Sequence, residues 1–200
     1  MSRKAPIKIF YEVEVKDKQG KLLTKQKGVS KSLLANFMHW FRAKVCNLSD
    51  ETVVDTGGAT RTILYGGSDF SYAFGRIDSS DDNDDDGIMV GSGTVAVSPD
   101  DYQLASKIPH GTTTGHLDYG PHTVEAVTVS DNVSSFRISR TFTNLSGASI
   151  SVQELGIAMY AFDVDKNVIH FLILRDVLAS PISIPDGATL TVRYTFQVAA

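Results

Sequence analysis

The chain opens on a strict alternation. Ile7, Ile9, Tyr11, Val13 and Val15 share one parity, and Lys8, Phe10, Glu12, Glu14 and Lys16 share the other. Period two marks a half-buried strand, because successive side chains leave a strand on opposite faces. Asp17-Lys18-Gln19-Gly20 supplies a turn, and residues 21–27 are the expected hairpin partner. Lys21, Lys25 and Lys27 on that partner would guard an edge strand against stray pairing.

The period then changes. Leu33, Leu34, Phe37, Met38, Trp40, Phe41 and Val45 recur at helical spacing and predict one amphipathic helix over residues 30–45. Ser30 is the expected N-cap, with Val29 stapled against Leu34. So large an apolar face is expected to cover the domain's own sheet.

Residues 46–121 lose all period; Gly, Thr, Ser and Asp dominate. So long a stretch is unusual inside a compact domain, so it either hides short strands or is an assembly loop ordered by neighbours. From residue 122 alternation returns. Phe136, Ile138 and Phe142 alternate with Ser135, Arg137, Ser139, Thr141 and Thr143. Ile150 and Val152 share one parity but Leu155, Ile157 and Met159 the other, so a β-bulge is expected near Gln153-Glu154. Residues 168–175 are almost uniformly apolar, as in a central strand, and Leu190, Val192, Tyr194, Phe196 and Val198 close the chain with a clean alternation.

The expected fold is mainly β: an antiparallel β-sandwich or jelly-roll-like domain over residues 1–200. It has an N-terminal hairpin and helix (7–45), an extended loop region (46–121) and a β core (122–198). Composition agrees, since 42% hydrophobic and 21% charged residues exclude wholesale disorder. The single cysteine, Cys46, excludes an intrachain disulfide. The N-terminus lacks the apolar core of a signal peptide and no apolar run approaches the roughly 20 residues that span a bilayer, so a soluble protein made in a cytoplasm is expected.

Net charge is −4 but uneven. Residues 1–44 carry 11 basic and 3 acidic side chains, the remainder 8 and 20. The basic part can meet an acidic partner or the acidic part of another copy. Without a nucleic-acid motif, nucleic acid is not an expected partner.

Candidate chemistry is sparse. Asp82, Asp84, Asp86 and Gly87 match the opening of a calcium loop, but the twelfth position is Gly93 where that loop has Glu. A looser Ca²⁺ site on Asp82, Asp84 and Asp86 stands as one reading beside a solvated acidic loop. The same acidic run could instead dock on a basic partner. His110, His116 and His122, with Asp118 among them, are spaced too widely for a local zinc motif and read as polar loop histidines. No nucleophile elbow occurs and Cys46 has no reactive signature around it, so no catalytic set is assigned.

One further pattern carries a resemblance. It comprises Gly87-Ile88-Met89-Val90-Gly91-Ser92-Gly93-Thr94, Asp100-Asp101-Tyr102-Gln103-Leu104, Arg140–Gly147, Glu154–Tyr160 and Phe171–Leu178, in that order. This series resembles the structural proteins of tailed-bacteriophage virions, found among head and tail components. The resemblance implies a non-enzymatic β subunit that lies in the virion and makes repeated contacts with copies of itself and with other virion proteins. Loop aromatics Tyr65, Phe70, Tyr72, Phe74 and Tyr102 are the expected interface anchors. The alternative is a carbohydrate- or host-receptor-binding module on a jelly-roll scaffold, with the loop aromatics stacking on sugar rings.

Overall fold

The computed structural model describes residues 7–64 and 75–199. Eleven strands and one helix are assigned among them: β1 (Ile7–Lys16), β2 (Leu22–Ser30), α1 (Ala35–Cys46), β3 (Thr52–Val54), β4 (Thr60–Thr62), β5 (Gly87–Gly91), β6 (Asp118–Val124), β7 (Thr128–Ser130), β8 (Val133–Thr143), β9 (Ile150–Phe162), β10 (Val168–Ile184) and β11 (Thr189–Ala199). Their ladders are antiparallel. One sheet runs β2-β1-β11-β8-β6 with β7 also on β8, a second runs β10-β9-β5, and β3 pairs β4.

Alternation explains the first sheet. Val13 and Val15 of β1, Leu190 and Val192 of β11, and Ile138 and Phe142 of β8 all point inward. They meet Ile88, Val90, Leu155, Ile157 and Phe171 of the second sheet in one core. Full burial of each such side chain contributes about 1.5–3 kcal/mol. The two sheets thus face each other as a sandwich.

The second sheet is buried on both faces. Its outer face carries Met89, Ala158 and Leu172, covered by Leu34 and Leu104. Residues covered on both sides need no alternation, which is why the run at 168–175 reads as uniformly apolar. The β9–β10 register jumps between Glu154↔Val177 and Val152↔Ile182, at the phase slip seen in the sequence.

The helix departs from expectation at its start. Ser30 still pairs with Ile9 as the last residue of β2, so it is no N-cap. Ser32 then accepts the Arg175 N–H and Leu34 donates to Ile173 O, so residues 32–34 lie along the edge of β10. The backbone is held extended until Leu34, which precedes α1 without a side-chain cap bond. Val29 is exposed and makes no staple. The apolar face is also wider than its contact: Leu34 and Ala43 are buried and Phe37 and Trp40 are packed against the core, but Met38, Phe41 and Val45 lie in solvent.

Residues 46–121 do hide strands: β3, β4, β5 and the start of β6. The N-terminal hairpin lies within the main sheet, with β1 between β2 and β11. Part of its positive charge is met at home. Lys25 and Lys27 bond Glu14 and Glu12 at 2.5 and 2.6 Å, and Arg193 reaches the same two glutamates. Pairs open to solvent on the lysine side are screened and contribute little.

Gly156 shows how close the loop layer lies. A β-carbon there would stand 2.7 Å from Leu104 Cδ2 and 3.3 Å from Leu174 O. Gly156→Ala should therefore cost about 1–3 kcal/mol through overpacking. Urea denaturation checks this, and an unchanged midpoint would contradict the tight loop–sheet contact.

Candidate functional site

Two buried arginines hold the long loops on the sandwich. Arg140 sits on β8 at the parity of Ile138 and Phe142, so the strand aims it into the core, where it is 1% exposed. Its guanidinium donates only to backbone carbonyls. Nε bonds Gly120 O at 2.7 Å, Nη1 bonds Asp86 O and Ile88 O at 3.3 and 3.1 Å, and Nη2 bonds Ser80 O and Asn83 O at 3.1 and 2.5 Å. The Tyr119 ring lies 4.8 Å from Cζ. Burial pushes the guanidinium pKa down, opposed by Tyr119 and by Asp86, Asp84 and Asp81. The arrangement gives the acidic loop what a hard cation gives a calcium loop, several oxygens converging on one positive charge.

Arg175 is the second clamp. It bonds Glu154 Oε1 at 2.5 Å, Asp101 Oδ2 at 2.7 Å, Val95 O at 2.9 Å and Ala96 O at 3.4 Å. Glu154 is fully buried, and its two oxygens also accept the N–H groups of Ala105 and Ser106. Burial opposes the charge on Arg175, but the bonds from Glu154 and Asp101 outweigh it and hold its pKa above the ordinary value. Gly93 makes the approach possible, since a β-carbon there would lie 2.5 Å from Glu154 Oε2.

The three aspartates of the calcium expectation are not brought together. Asp86 is buried and accepts from Ser79 Oγ and Asn83 Nδ2. Asp84 accepts the His110 N–H at 2.7 Å and lies 3.1 Å from Lys107 Nζ. Asp82 instead groups with His110 and Asp118, their ligand atoms within 4.8 Å of one another. That set fits a metal poorly. His110 Nδ1 accepts the Tyr119 N–H at 3.2 Å, so the neutral ring carries its proton on Nε2, the nitrogen facing Asp82. His116 bonds within its own loop, to Thr113 Oγ1 and Thr114 O.

His122 is an internal latch. Nε2 accepts the Ile88 N–H at 2.7 Å, and Nδ1 lies 3.2 Å from Ser79 N and 3.3 Å from Ser79 O. Burial, then the nearby Arg140 charge, lower its pKa to about 4, against a weaker pull from Ser79.

An apolar groove of about 400 Å³ opens where the first sheet overhangs the second. Register defines its wall. Ile7, Val198, Ser134 and Val129 form the terminal cross-strand row, and Ile9, Phe196 and Phe136 the next. The Phe136 and Phe196 rings stack at 4.9 Å. Leu33, Phe37 and Trp40 face them, with Met159 and Ile173 also lining the groove. The rim stays open: Ile7 is 68%, Val127 65%, Val129 75% and Val198 44% exposed.

Of the expected interface aromatics, Tyr65, Phe70, Tyr72 and Phe74 lie outside the described residues. Tyr102 is half-buried, its ring about 3.4 Å from where a Gly58 β-carbon would stand, and it does not line the groove. Sequence reasoning missed Arg140, Arg175, Glu154 and the groove aromatics. The signal for the arginines was present, since each places a charge inside an apolar pattern.

No family model, curated protein or solved structure matches the chain.

Arg140→Met should remove the donors of five carbonyls, and Glu154→Gln should leave Arg175 with one carboxylate. Each should cost about 3 kcal/mol or more in urea denaturation. A loss below about 1 kcal/mol would contradict the clamp assignment.

Proposed function

We propose that this chain is a structural subunit of a tailed-phage virion, making repeated contacts with copies of itself and with other virion proteins in the head, neck or tail. The observation that carries the reading is the open groove. Contiguous exposed apolar surface rimmed by polar residues marks an interaction site, and here Ile7, Val127, Val129 and Val198 crowd one end of the sandwich. Met38, Phe41 and Val45 leave a second apolar stripe on α1. Rigid strands present the first row and a helix the second, so both surfaces are formed before a partner arrives.

The motif series from Gly87 to Leu178 supplies the virion context by resemblance. The role is contact, not catalysis: three deeply buried charged groups, Arg140 and Arg175 with Glu154, are engaged in holding the loops. Among the described residues no helix is long and apolar enough to cross a membrane. The proposed setting is assembly in the host cytoplasm and residence in the particle.

Light scattering across a concentration series tests this. Association into a defined oligomer is expected, and Val129→Asp with Phe41→Asp should weaken it at least about tenfold, the effect of roughly 1.4 kcal/mol. A monodisperse monomer at every concentration, with no affinity for virion particles, would overturn the reading.

A further inference from the structure

We infer that His122 is an acid-operated latch for the loop of residues 78–87. The ring joins three elements. It stands on β6, opposite Arg140 of β8 in register, and reaches Ile88 at the start of β5 and Ser79 at the start of the loop. Both ring nitrogens face backbone N–H groups, Nε2 that of Ile88 at 2.7 Å and Nδ1 that of Ser79 at 3.2 Å, with Ser79 O also 3.3 Å from Nδ1. The shorter bond keeps the lone pair on Nε2, so the neutral ring carries its proton on Nδ1, beside Ser79 O. A protonated ring has a hydrogen on both nitrogens. Nε2–H would then point at the Ile88 N–H, donor against donor, in place of a hydrogen bond.

Burial and the charge across the ladder both oppose a second proton on the ring. From β8 it faces Arg140, also cationic. The loop contributes Asp81, Asp84 and Asp86. The Asp84 carboxylate is engaged by His110 N–H and Lys107, while Asp86 accepts from Ser79 and Asn83 on Oδ1 and its Oδ2 is buried without a hydrogen-bond partner. On β6 itself stand Asp118, 3.8 Å from His110, and Tyr119. β5, Gly87–Gly91, has no ionisable side chain. The ring cannot easily slide aside, since it packs so closely on Gly87 that a β-carbon there would lie 2.2 Å from Cε1. Opening the loop relieves both conflicts by letting water solvate the imidazolium. Arg175 and Glu154 still hold residues 95–106, so the opening stays local.

The sign follows from linkage. The folded ring has its pKa near 4, below the 6.5 of a free histidine. The closed state therefore holds its full advantage above about pH 6.5 and loses it as pH falls toward 4. Amide hydrogen exchange of Ile88 reads this directly. After correction for intrinsic rates, its protection should fall roughly 20-fold between pH 7 and pH 5, a window in which free aspartates stay ionised. His122→Gln keeps an acceptor for Ile88 and a donor for Ser79 but cannot titrate, and its Ile88 protection should stay flat. A wild-type ring that titrates near 6.5 by NMR, or Ile88 protection unchanged in the wild type, would overturn the latch. Equal loss in His122→Gln would also overturn it, by moving the effect to the carboxylates.

Discussion

A guanidinium removed from water costs several kcal/mol unless its donors are met, and the described residues bury two, Arg140 and Arg175. Arg140 uses its planar fork to gather five carbonyls from residues 80 to 120, and Arg175 gathers two carbonyls and two carboxylates from residues 95 to 154. Each is fixed on a long strand of the core and reaches outward to a segment with no period of its own. β5 pairs with β9 along its whole length, and beside that pairing Ile88 O is bound by Arg140 and Val90 O accepts the Ile108 N–H. The layer of Leu104 over Gly156 and Leu172 then follows from the second clamp.

Because the described loops are folded back on their own sheets, they are not the surface left over for partners. Among the described residues, the apolar surface left exposed is the stripe on α1 and the end of the first sheet, where two cross-strand rows run past the second sheet and face α1. The same geometry separates duties. Charge is used internally to order loops, and apolar surface is left externally for assembly. The acidic loop is held by Arg140, by Lys107 and the His110 N–H at Asp84, and by the His122 imidazole, whose contacts depend on its protonation state.

Much of this was legible in the sequence. β1, β8 and β11 follow from parity, because one face of each meets the core and the other meets solvent. The two-sided burial of the second sheet was half legible, as an apolar run without period. The start of α1 was not, because Ser30 and Leu34 satisfy local helix rules while their backbones pair with Ile9 and Ile173, partners distant in sequence. Arg140 entered only as the first residue of the Arg140–Gly147 segment, although it occupies the inward parity between Ile138 and Phe142. Asp82, Asp84 and Asp86 looked like ligands because spacing is local. Where each carboxylate points was decided by His110, Lys107 and Ser79, which lie elsewhere along the chain.

The central claim is that the chain orders residues 78–107 by its own buried arginines, with no neighbour required. Hydrogen exchange on the dilute monomer at neutral pH tests it most directly. The account predicts that the amides of Ile88, Ser92, Ala105, Ser106 and Ile108 are protected like those of β9 and β11. Free exchange across this stretch, with protection appearing only on assembly, would contradict it.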